Sequence, residues 1–557
     1  MRCSVAVCAA ACLALAAAPA RAALESFDEA LTLSPLVGGR VHAAFAFTLA
    51  SDRGSVHHFG KMPRALLQPV ASLGVQDMHL SLAKGRWLYS EWGSPAADDA
   101  GDEAVASGAE VWAAMSNDTD VWPRWRMLMS ALASLSCASL DAVDEATTVQ
   151  PQWPYFGPQP VLHSYLPSES VCTENLSPLL KLLPCKGGAG LASLLRPHAL
   201  LGAEFHSIGL RATQAQGGWT VQLRVQMVAR PPSVNDTAWT LRDLFGTALT
   251  TTCPAASTSH IRVLSGTPPL PPVAPAVADD DDDDDEPLPR TGALAAYTAP
   301  QATYLYDTRS LADYGDALNV ELVAPASRSL ARVPPLHAAR QVLGYGQERN
   351  TVRVILRNTL PGETVSVVYY EHVPRMVRPL LHTLRTQVQL HEYDERDDLV
   401  RYRDDVDLPF LENASYVPAE VRRRSGSLEL VLRVPALSTL TLTYTLEKHM
   451  LHYNEHMPDS HRGIDLPPAL FLPLHGARPW ADVHRGLDVH RVQASRMYTE
   501  PSLLDMAVPD FSMPYNVILF YSTFVALFFG SLLNLLVRRY RDVYRQGDER
   551  PTSHTTR

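Results

Sequence analysis

The sequence contains no complete catalytic or metal-binding motif. A GxSxG nucleophile elbow, an HExxH metalloprotease motif and a phosphate-binding glycine loop are missing, and His391 to Glu395 begins with His-Glu but lacks the second histidine. The 7 cysteines among 557 residues form no CxxC pair and no Cys/His zinc spacing, and none lies in a local cysteine-protease signature. These absences argue against an enzyme and against a bound cofactor or metal.

Basic residues are too few to predict a nucleic-acid-binding surface. The chain has 48 Lys and Arg against 59 Asp and Glu, a formal net charge of -11. Nucleic-acid binding requires a basic face. Proteins or lipids are therefore favoured as partners.

Two clusters are incomplete as cation sites. His452 and His456 have the spacing of one helix face, but a third ligand and a helical pattern are missing, so surface or core histidines are favoured. The run from Asp279 to Asp285 lacks the spaced ligands and the turn glycine of a calcium loop. It is typical of a solvated, disordered loop.

Two apolar segments at opposite ends of the chain predict a membrane-anchored protein of the secretory pathway. Residues 1–22 combine Arg2 before an apolar core with the ending Ala20-Arg21-Ala22, which is typical of a cleaved signal peptide. Residues 517–537 carry no charge and span roughly 30 Å as a helix, which predicts a transmembrane segment. The arginine-rich residues 538–557 predict a cytoplasmic tail and a type I orientation. The alternative, a glycolipid-anchoring signal, would end with its hydrophobic part and needs no basic segment beyond it.

The part between these segments is predicted to be α+β, mainly β. In residues 23–264, Phe45, Phe47 and Leu49 alternate as in a strand, whereas Trp125 begins an apolar run at helical spacing after a candidate Asp120 cap. This region is predicted to be an N-terminal α+β domain.

The remaining lumenal sequence divides at a composition change. Residues 265–290 are rich in Pro and Asp and predict a disordered insert. Residues 291–508 contain repeated period-two runs, which predict a β-sandwich domain. The last two runs, Leu428 to Val434 and Leu440 to Leu446, resemble a hairpin.

The lumenal cysteines leave several pairings open. Without the signal peptide the chain keeps Cys137, Cys172, Cys185 and Cys253. In an oxidising compartment these four form two bridges in one of three connectivities, or one of them joins another chain.

Four matches to the glycosylation pattern agree with a secretory location. Pro178 directly follows the match Asn175-Leu176-Ser177 and lowers the expected use of Asn175 as an acceptor. The acceptors are Asn117, Asn175, Asn235 and Asn413.

Several longer strings are more specific than these patterns. The chain resembles the PIG-T family, a subunit of the glycosylphosphatidylinositol (GPI) transamidase, over nearly the whole mature sequence. The insert at 265–290 and the segment 371–420 match that family least well. The strings that carry the resemblance are Val171-Cys172-Thr173-Glu174-Asn175-Leu176-Ser177-Pro178, Lys181-Leu182-Leu183-Pro184-Cys185, Leu336-His337-Ala338 with Gly344-Tyr345-Gly346, Tyr498-Thr499-Glu500-Pro501, and Pro509 to Ile518.

The resemblance implies a non-catalytic scaffold subunit in the endoplasmic reticulum membrane. That complex attaches preassembled GPI anchors to the C-terminal end of precursor proteins, and its chemistry belongs to a caspase-like subunit, PIG-K. By resemblance, Cys172 forms a disulfide with PIG-K, which leaves Cys137, Cys185 and Cys253 unable to pair completely among themselves. The implied partners are PIG-K, the other membrane subunits, the GPI lipid and the precursor protein.

The segment before the apolar helix allows two interpretations. Its two prolines and two aromatic rings fit a surface that seats the lumenal domain on the membrane, because amphipathic rings favour the interface. A plain linker fits equally. The residues concerned are Asp510, Phe511, Ser512, Met513, Pro514, Tyr515 and Asn516.

Two functions of other classes remain as alternatives. A glycosylated type I membrane receptor predicts cell-surface residence and a ligand of its own. A lumenal hydrolase predicts an activity that is lost on replacing one lumenal side chain.

Overall fold

The structure is a computed structural model of the chain. It describes residues 25–36, 38–52, 60–93, 95, 104–116, 120–156, 160–167, 169, 171–215, 217–230, 238–265, 277–278, 302–309, 311, 317–323, 336–344, 346–393, 399–405, 410–456, 459–474, 496–508 and 512–539. The predicted signal peptide, Asn117, Asn235, Asp510, Phe511, residues 540–557 and most of 265–290 lie outside these ranges.

Strands dominate the described residues, as the sequence predicted. Eleven of them form one sheet in the order β11-β12-β10-β1-β2-β8-β7-β3-β4-β6-β5, in which β1 and β10 pair in parallel and the other pairs are antiparallel. The strands are β1 (Glu25–Leu36), β2 (Arg40–Ser51), β3 (Val75–Lys84), β4 (Gly108–Met115), β5 (Thr148–Val149), β6 (Val161–Leu166), β7 (Phe205–Ala215), β8 (Gly218–Ala229), β10 (Thr258–Ser265), β11 (Val277–Ala278) and β12 (Ala302–Asp307). A separate pair joins β9 (Ala238–Thr240) to β13 (Glu321–Val323).

One face of this sheet is covered by helices. Phe45 and Phe47 of β2 are buried there, which confirms the alternation read from the sequence. Trp125 and Leu128 meet the same core, and the Asp120 carboxylate caps their helix by accepting the Trp122 N–H at 3.2 Å. The helices are α1 (Arg64–Ser72), α2 (Tyr89–Trp92), α3 (Val121–Ser136), α4 (Thr173–Leu180), α5 (Pro197–Leu201) and α6 (Leu241–Phe245), with 3₁₀ turns at Leu140–Ala142, Pro154–Phe156 and Leu191–Leu194.

The later strands form two facing five-stranded sheets. Their orders are β14-β15-β21-β17-β18 and β19-β20-β16-β23-β24, and a short pair joins β22 to β25. In β21 every second residue is buried, so one face of the strand meets the core between the sheets. The strands are β14 (Leu336–Leu343), β15 (Arg349–Asn358), β16 (Val365–Val373), β17 (Val377–Tyr393), β18 (Leu399–Asp405), β19 (Leu411–Val417), β20 (Gly426–Val434), β21 (Ser438–Lys448), β22 (Ile464–Leu466), β23 (Leu470–Leu474), β24 (Met497–Tyr498) and β25 (Ser502–Leu504).

The hairpin expected between the last two long runs is wrong. β20 pairs with β16 and β19, whereas β21 pairs with β15 and β17 in the opposite sheet. The connection turns at Leu437, whose φ is 46°, and carries the chain across the core. Both runs keep the alternating pattern of a hairpin because each presents one apolar face to that shared core.

Strand β16 is buried on both faces because it lies between two cores. Val367 and Tyr369 point into the sandwich. Val368 and Tyr370 pack instead against Trp112 of β4 and its neighbours. The eleven-stranded sheet and the sandwich are therefore joined by a continuous apolar contact.

The strand pairs assign some residues to a different β region from the one that the composition predicted. β12 lies beyond residue 291, where the β-sandwich domain was predicted to begin, yet it hydrogen-bonds to β10 in the first sheet. β11 lies inside the predicted insert and pairs with β12. Two strands that lie beyond the start of the Pro- and Asp-rich segment thus extend the first sheet.

A buried polar network lies within the contact between the two regions. The His163 Nε2–H donates to Glu110 at 2.9 Å, the Tyr370 O–H donates to His163 Nδ1 at 2.8 Å, and the Tyr498 O–H donates to the second Glu110 oxygen at 2.8 Å. Arg496 lies over the Trp112 ring at 4.8 Å. These partners come from both the first sheet and the sandwich. The network therefore fixes the position of the two β regions relative to each other.

Burial and pairing set the charges of this network. Burial lowers the pKa of His163, which keeps the imidazole neutral. Burial alone raises the pKa of Glu110, but the hydrogen bonds from His163 and Tyr498 and the charge of Arg496 outweigh it and hold that pKa below its usual value. The network therefore holds one carboxylate balanced by one guanidinium.

The chain divides into two compact units, and both β regions belong to the first, Met1–Met450 with Arg462–Met506. The second unit comprises Leu451–His461 and Ala507–Arg557. Its main element is α7 (Ser512–Val537), in which Tyr515–Val537 is long and apolar enough to cross a membrane, with a mean hydropathy of 1.9 and no buried residue. The helix begins five residues before the predicted span, so Ser512 to Asn516 form its first turns.

Candidate functional site

Cys172, the cysteine singled out by the family resemblance, lies at the start of a helix on the first sheet's helical layer. It is the N-cap residue of α4, with an extended backbone at φ -134° and ψ 179°. Val171 before it and Leu176 after it are buried in the core. Its thiol is half-buried and unpaired within the chain. The side chain is thus held between two anchored residues and is still accessible.

The backbone around Cys172 is fixed by one buried side chain. Asn175 Oδ1 accepts the Cys172 N–H at 2.7 Å. The Asn175 Nδ2 donates to the Ser136 carbonyl at 2.9 Å and to the Cys137 carbonyl at 3.3 Å. One amide therefore joins the end of α3 to the start of α4.

The other three cysteines that the structure describes divide into one bridge and one free thiol. Cys185 and Cys253 form a disulfide that closes a separation of 68 residues. Cys137 caps the end of α3 in the left-handed conformation, with φ 53°, and is exposed and free. The structure therefore leaves Cys137 and Cys172 available for other partners.

The two glycosylation acceptors that the structure describes differ in accessibility. Asn413 lies half-exposed in β19, an outer strand of its sheet, and its Oδ1 accepts the Ala414 N–H at 2.8 Å. Asn175 is 1% exposed, and both hydrogens of its amide are used. A glycan would replace one of these hydrogens and would require space outside the core.

We expect the folded protein to carry no glycan at Asn175. Peptide mass spectrometry after removal of N-glycans in heavy-oxygen water should show the mass increase of a formerly glycosylated asparagine at Asn413 and not at Asn175. Asn413 is the internal control for processing. A fully occupied Asn175 would contradict its buried position.

Two of the sequence strings meet in one cleft. His337 and Ala338 of β14 line it together with Tyr498, Thr499 and Glu500, and it encloses about 200 Å³. Arg86 pairs with Glu500 at its edge.

Arg340 is the residue that joins these two strings. Its guanidinium donates to Glu371 at 3.1 Å, to the Pro467 carbonyl at 2.6 Å and to the Glu500 carbonyl at 3.1 Å. Burial raises the pKa of Glu371, although the charge of Arg340 and the hydrogen bond from Tyr444 lower it in part. Arg340, which follows the first string, therefore reaches the second through the Glu500 carbonyl, and Glu371 balances its charge inside the sandwich.

The residues of the buried networks were not identified from the sequence. Glu110, His163 and Tyr498 are far apart along the chain, and none belongs to a local pattern that marks it as part of a network. Tyr498 was noted only as part of a string. Among the described residues, no group of three or more His, Cys, Asp or Glu side chains is arranged to hold a metal ion.

Comparisons with known proteins cover nearly the entire chain. The family described as Gpi16 subunit, GPI transamidase component, matches residues 9–231 and 230–557. The human GPI-anchor transamidase component PIGT is 30% identical over 555 residues, covering 93% of this chain and 91% of that protein. The Schizosaccharomyces pombe PIG-T homolog is 28% identical, covering 93% and 90%, and the Saccharomyces cerevisiae component GPI16 is 26% identical, covering 92% and 88%.

The match extends over both β regions and the apolar helix, which agrees with the strings found at Cys172, in the cleft and at the start of α7. The chain belongs to the Gpi16 (PIG-T) family of GPI transamidase components.

Proposed function

We propose that this chain is a non-catalytic scaffold subunit of the GPI transamidase complex. It is anchored in the endoplasmic reticulum membrane by α7, with the large first unit in the lumen and residues 538–557 in the cytoplasm. The complex attaches preassembled GPI anchors to the C-terminal ends of precursor proteins, and this subunit stabilises the complex and holds the caspase-like subunit PIG-K. Membership of the family supports the assignment to the complex.

The observation that supports the scaffold role best is the geometry of Cys172. Cys185 and Cys253 already form a bridge within the chain, whereas Cys172 is accessible, free and held on a fixed backbone. A bridge from Cys172 to PIG-K would keep the protease at a high effective concentration beside its scaffold. The bridge would stabilise assembly without taking part in the chemical step.

The proposal also concerns how this chain contacts the membrane and the GPI lipid. Tyr515 begins the apolar part of α7, and its ring suits the membrane interface. The other membrane subunits are partners through the lumenal surfaces or through α7, and the GPI lipid and the precursor are the molecules brought together by the complex.

Replacing Cys172 by Ser should weaken the retention of PIG-K. We expect the tagged wild-type chain, solubilised in mild detergent, to co-purify with PIG-K and the other membrane subunits, and to retain PIG-K through stringent washing. In Cys172→Ser no covalent bond holds PIG-K in place, so PIG-K that leaves its noncovalent contacts is washed away instead of rebinding. This variant should therefore lose several-fold more PIG-K during the same washes. Quantitative mass spectrometry of the eluates measures the difference.

Cys137→Ser is the matched control, because it removes the second of the two free thiols in the described part of the chain. Equal loss of PIG-K from both variants would contradict the role of Cys172. A chain that purifies alone from the cell surface would favour the receptor alternative. An isolated chain with hydrolytic activity that depends on a lumenal side chain would favour the hydrolase.

A further inference from the structure

Asn175 is a buried residue at a position where the sequence pattern suggests a glycan. Its side chain is 1% exposed, and all of its hydrogen-bonding groups have backbone partners: Cys172 on one side, Ser136 and Cys137 on the other. A buried amide with several partners costs free energy when any of them is lost. The side chain therefore works as a fixed link between α3 and α4.

A second contact joins the same two segments. The Ser139 N–H, just beyond α3, donates to the Glu169 carboxylate at 3.1 Å, just before Cys172. Val171, which directly precedes Cys172, has its side chain buried in the core. The Cys172 backbone is consequently held from both directions, and its side chain is half-buried.

A disulfide places strict demands on such a backbone. The two Cβ atoms must lie about 3.5–4.5 Å apart with a preferred dihedral angle, and a misplaced Cβ strains or prevents the bond. A thiol whose backbone is already fixed reaches this geometry at little entropic cost, whereas small displacements lower the rate of reaction steeply.

We propose that Asn175 is the positioning residue for the interchain disulfide of Cys172, and that this role, rather than glycosylation, accounts for the asparagine in the Asn-Leu-Ser pattern. The proposal rests on the proposed function at one point, the existence of that bridge. The amide acts through the Cys172 backbone and does not touch the partner's sulfur.

The bridge forms by thiol–disulfide exchange with a disulfide oxidoreductase of the secretory pathway. The Cys172 thiolate attacks the oxidant's disulfide and expels one of its sulfurs as a thiolate. The partner's thiolate then attacks Cys172 Sγ and expels the oxidant's remaining sulfur as a thiolate. Two electrons pass from the two chains to the oxidant, and the two protons of the reacting thiols pass to solvent or to the expelled thiolates.

Three variants separate the amide from the glycan. Ser177→Ala removes the glycosylation pattern and leaves Asn175 unchanged, and Ser177 is exposed. Asn175→Ala removes all three hydrogen bonds. Asn175→Asp keeps an acceptor for the Cys172 N–H but cannot donate to the Ser136 and Cys137 carbonyls.

The experiment measures the ratio of bridged to free Cys172 in the complex purified from membranes under thiol-blocking conditions. We expect Ser177→Ala to match the wild type, Asn175→Ala to lower the ratio about tenfold, and Asn175→Asp to lie between them. The Cys185–Cys253 bridge in the same preparations shows that the chain has folded.

Unchanged bridging in Asn175→Ala would overturn the proposal, and so would an equal loss in Asn175→Ala and Ser177→Ala, because the glycan would then explain the effect. If Asn175→Ala loses the Cys185–Cys253 bridge, Asn175→Asp decides: reduced bridging with that disulfide intact supports positioning, and wild-type bridging overturns it.

A wild-type chain without any interchain bridge would refute the proposed role of Cys172 separately. The positioning of its thiol is then measured by alkylation of the native chain with N-ethylmaleimide. A change of about tenfold in the Cys172 alkylation rate between wild type and Asn175→Ala, with Ser177→Ala as the reference variant that keeps Asn175, supports the fixed backbone. An unchanged rate overturns it.

Discussion

Replacing Arg340 by Ala is expected to lower the free energy of unfolding of the first unit by about 3–5 kcal/mol, because it leaves a buried carboxylate without its counter-charge. Arg340 and Glu371 have side chains 0% and 2% exposed, and the arginine also satisfies the Pro467 and Glu500 carbonyls. Urea unfolding of the purified chain in detergent measures the change through tryptophan fluorescence.

The effect of this substitution should grow with pH. Removing Arg340 raises the folded-state pKa of Glu371 further above its unfolded value, so the folded state binds more protons than the unfolded state. Stability is then lost as pH rises from the unfolded pKa of Glu371 through its folded pKa. We therefore expect a larger deficit at pH 8 than at pH 5.

Arg349→Ala provides the matched control for Arg340. Arg349 contacts Glu447 at 3.7 Å with a side chain that is 63% exposed, and such pairs contribute about 0–1 kcal/mol. A similar, small effect of both substitutions would show that the buried pair does not stabilise the sandwich.

Replacing Glu110 by Ala is expected to destabilise the contact between the first sheet and the sandwich by about 3 kcal/mol or more. The His163 N–H and the Tyr498 O–H would lose their acceptor, and Arg496 would lose the charge that balances it. Because these partners lie in both β regions, limited proteolysis should separate the two regions at a lower protease concentration than in the wild type.

Glu204→Ala is the control for Glu110, since Glu204 forms an ion pair with Arg40 at 2.8 Å but is 41% exposed. It should leave the proteolytic pattern unchanged. Identical patterns for wild type and Glu110→Ala would contradict a stabilising role of the network.

Local patterns in the sequence predict the local elements well. The charge-free run at 517–537 lies in α7, and the helical spacing after Asp120 corresponds to α3. Both depend only on residues within a few turns of one another. The alternating runs correctly indicate strands, because alternation reports that one face is buried.

The same patterns cannot identify what covers a buried face. β20 and β21 alternate as a hairpin does, but their apolar faces meet across a core and not side by side. β16 has no exposed face, because the first sheet covers its second side. Such placements depend on contacts between distant residues.

At the candidate site, too, the sequence predicts local features but not contacts between distant residues. The family strings directed attention to Cys172, but the burial of Asn175 depends on the end of α3, which is nearly 40 residues away. A glycosylation pattern is defined by three consecutive residues and contains no information about burial. Only the folded structure shows that both the oxygen and the nitrogen of the Asn175 amide have hydrogen-bond partners.

The scaffold account depends most directly on the covalent contact at Cys172. The decisive measurement is non-reducing electrophoresis of the tagged full chain purified from membranes, with mass spectrometry of the cross-linked peptides. The account predicts a heavier, reductant-sensitive band that contains PIG-K and a peptide in which Cys172 is joined to a cysteine of that subunit. A chain that runs at monomer weight, with no transamidase subunits bound, would contradict it.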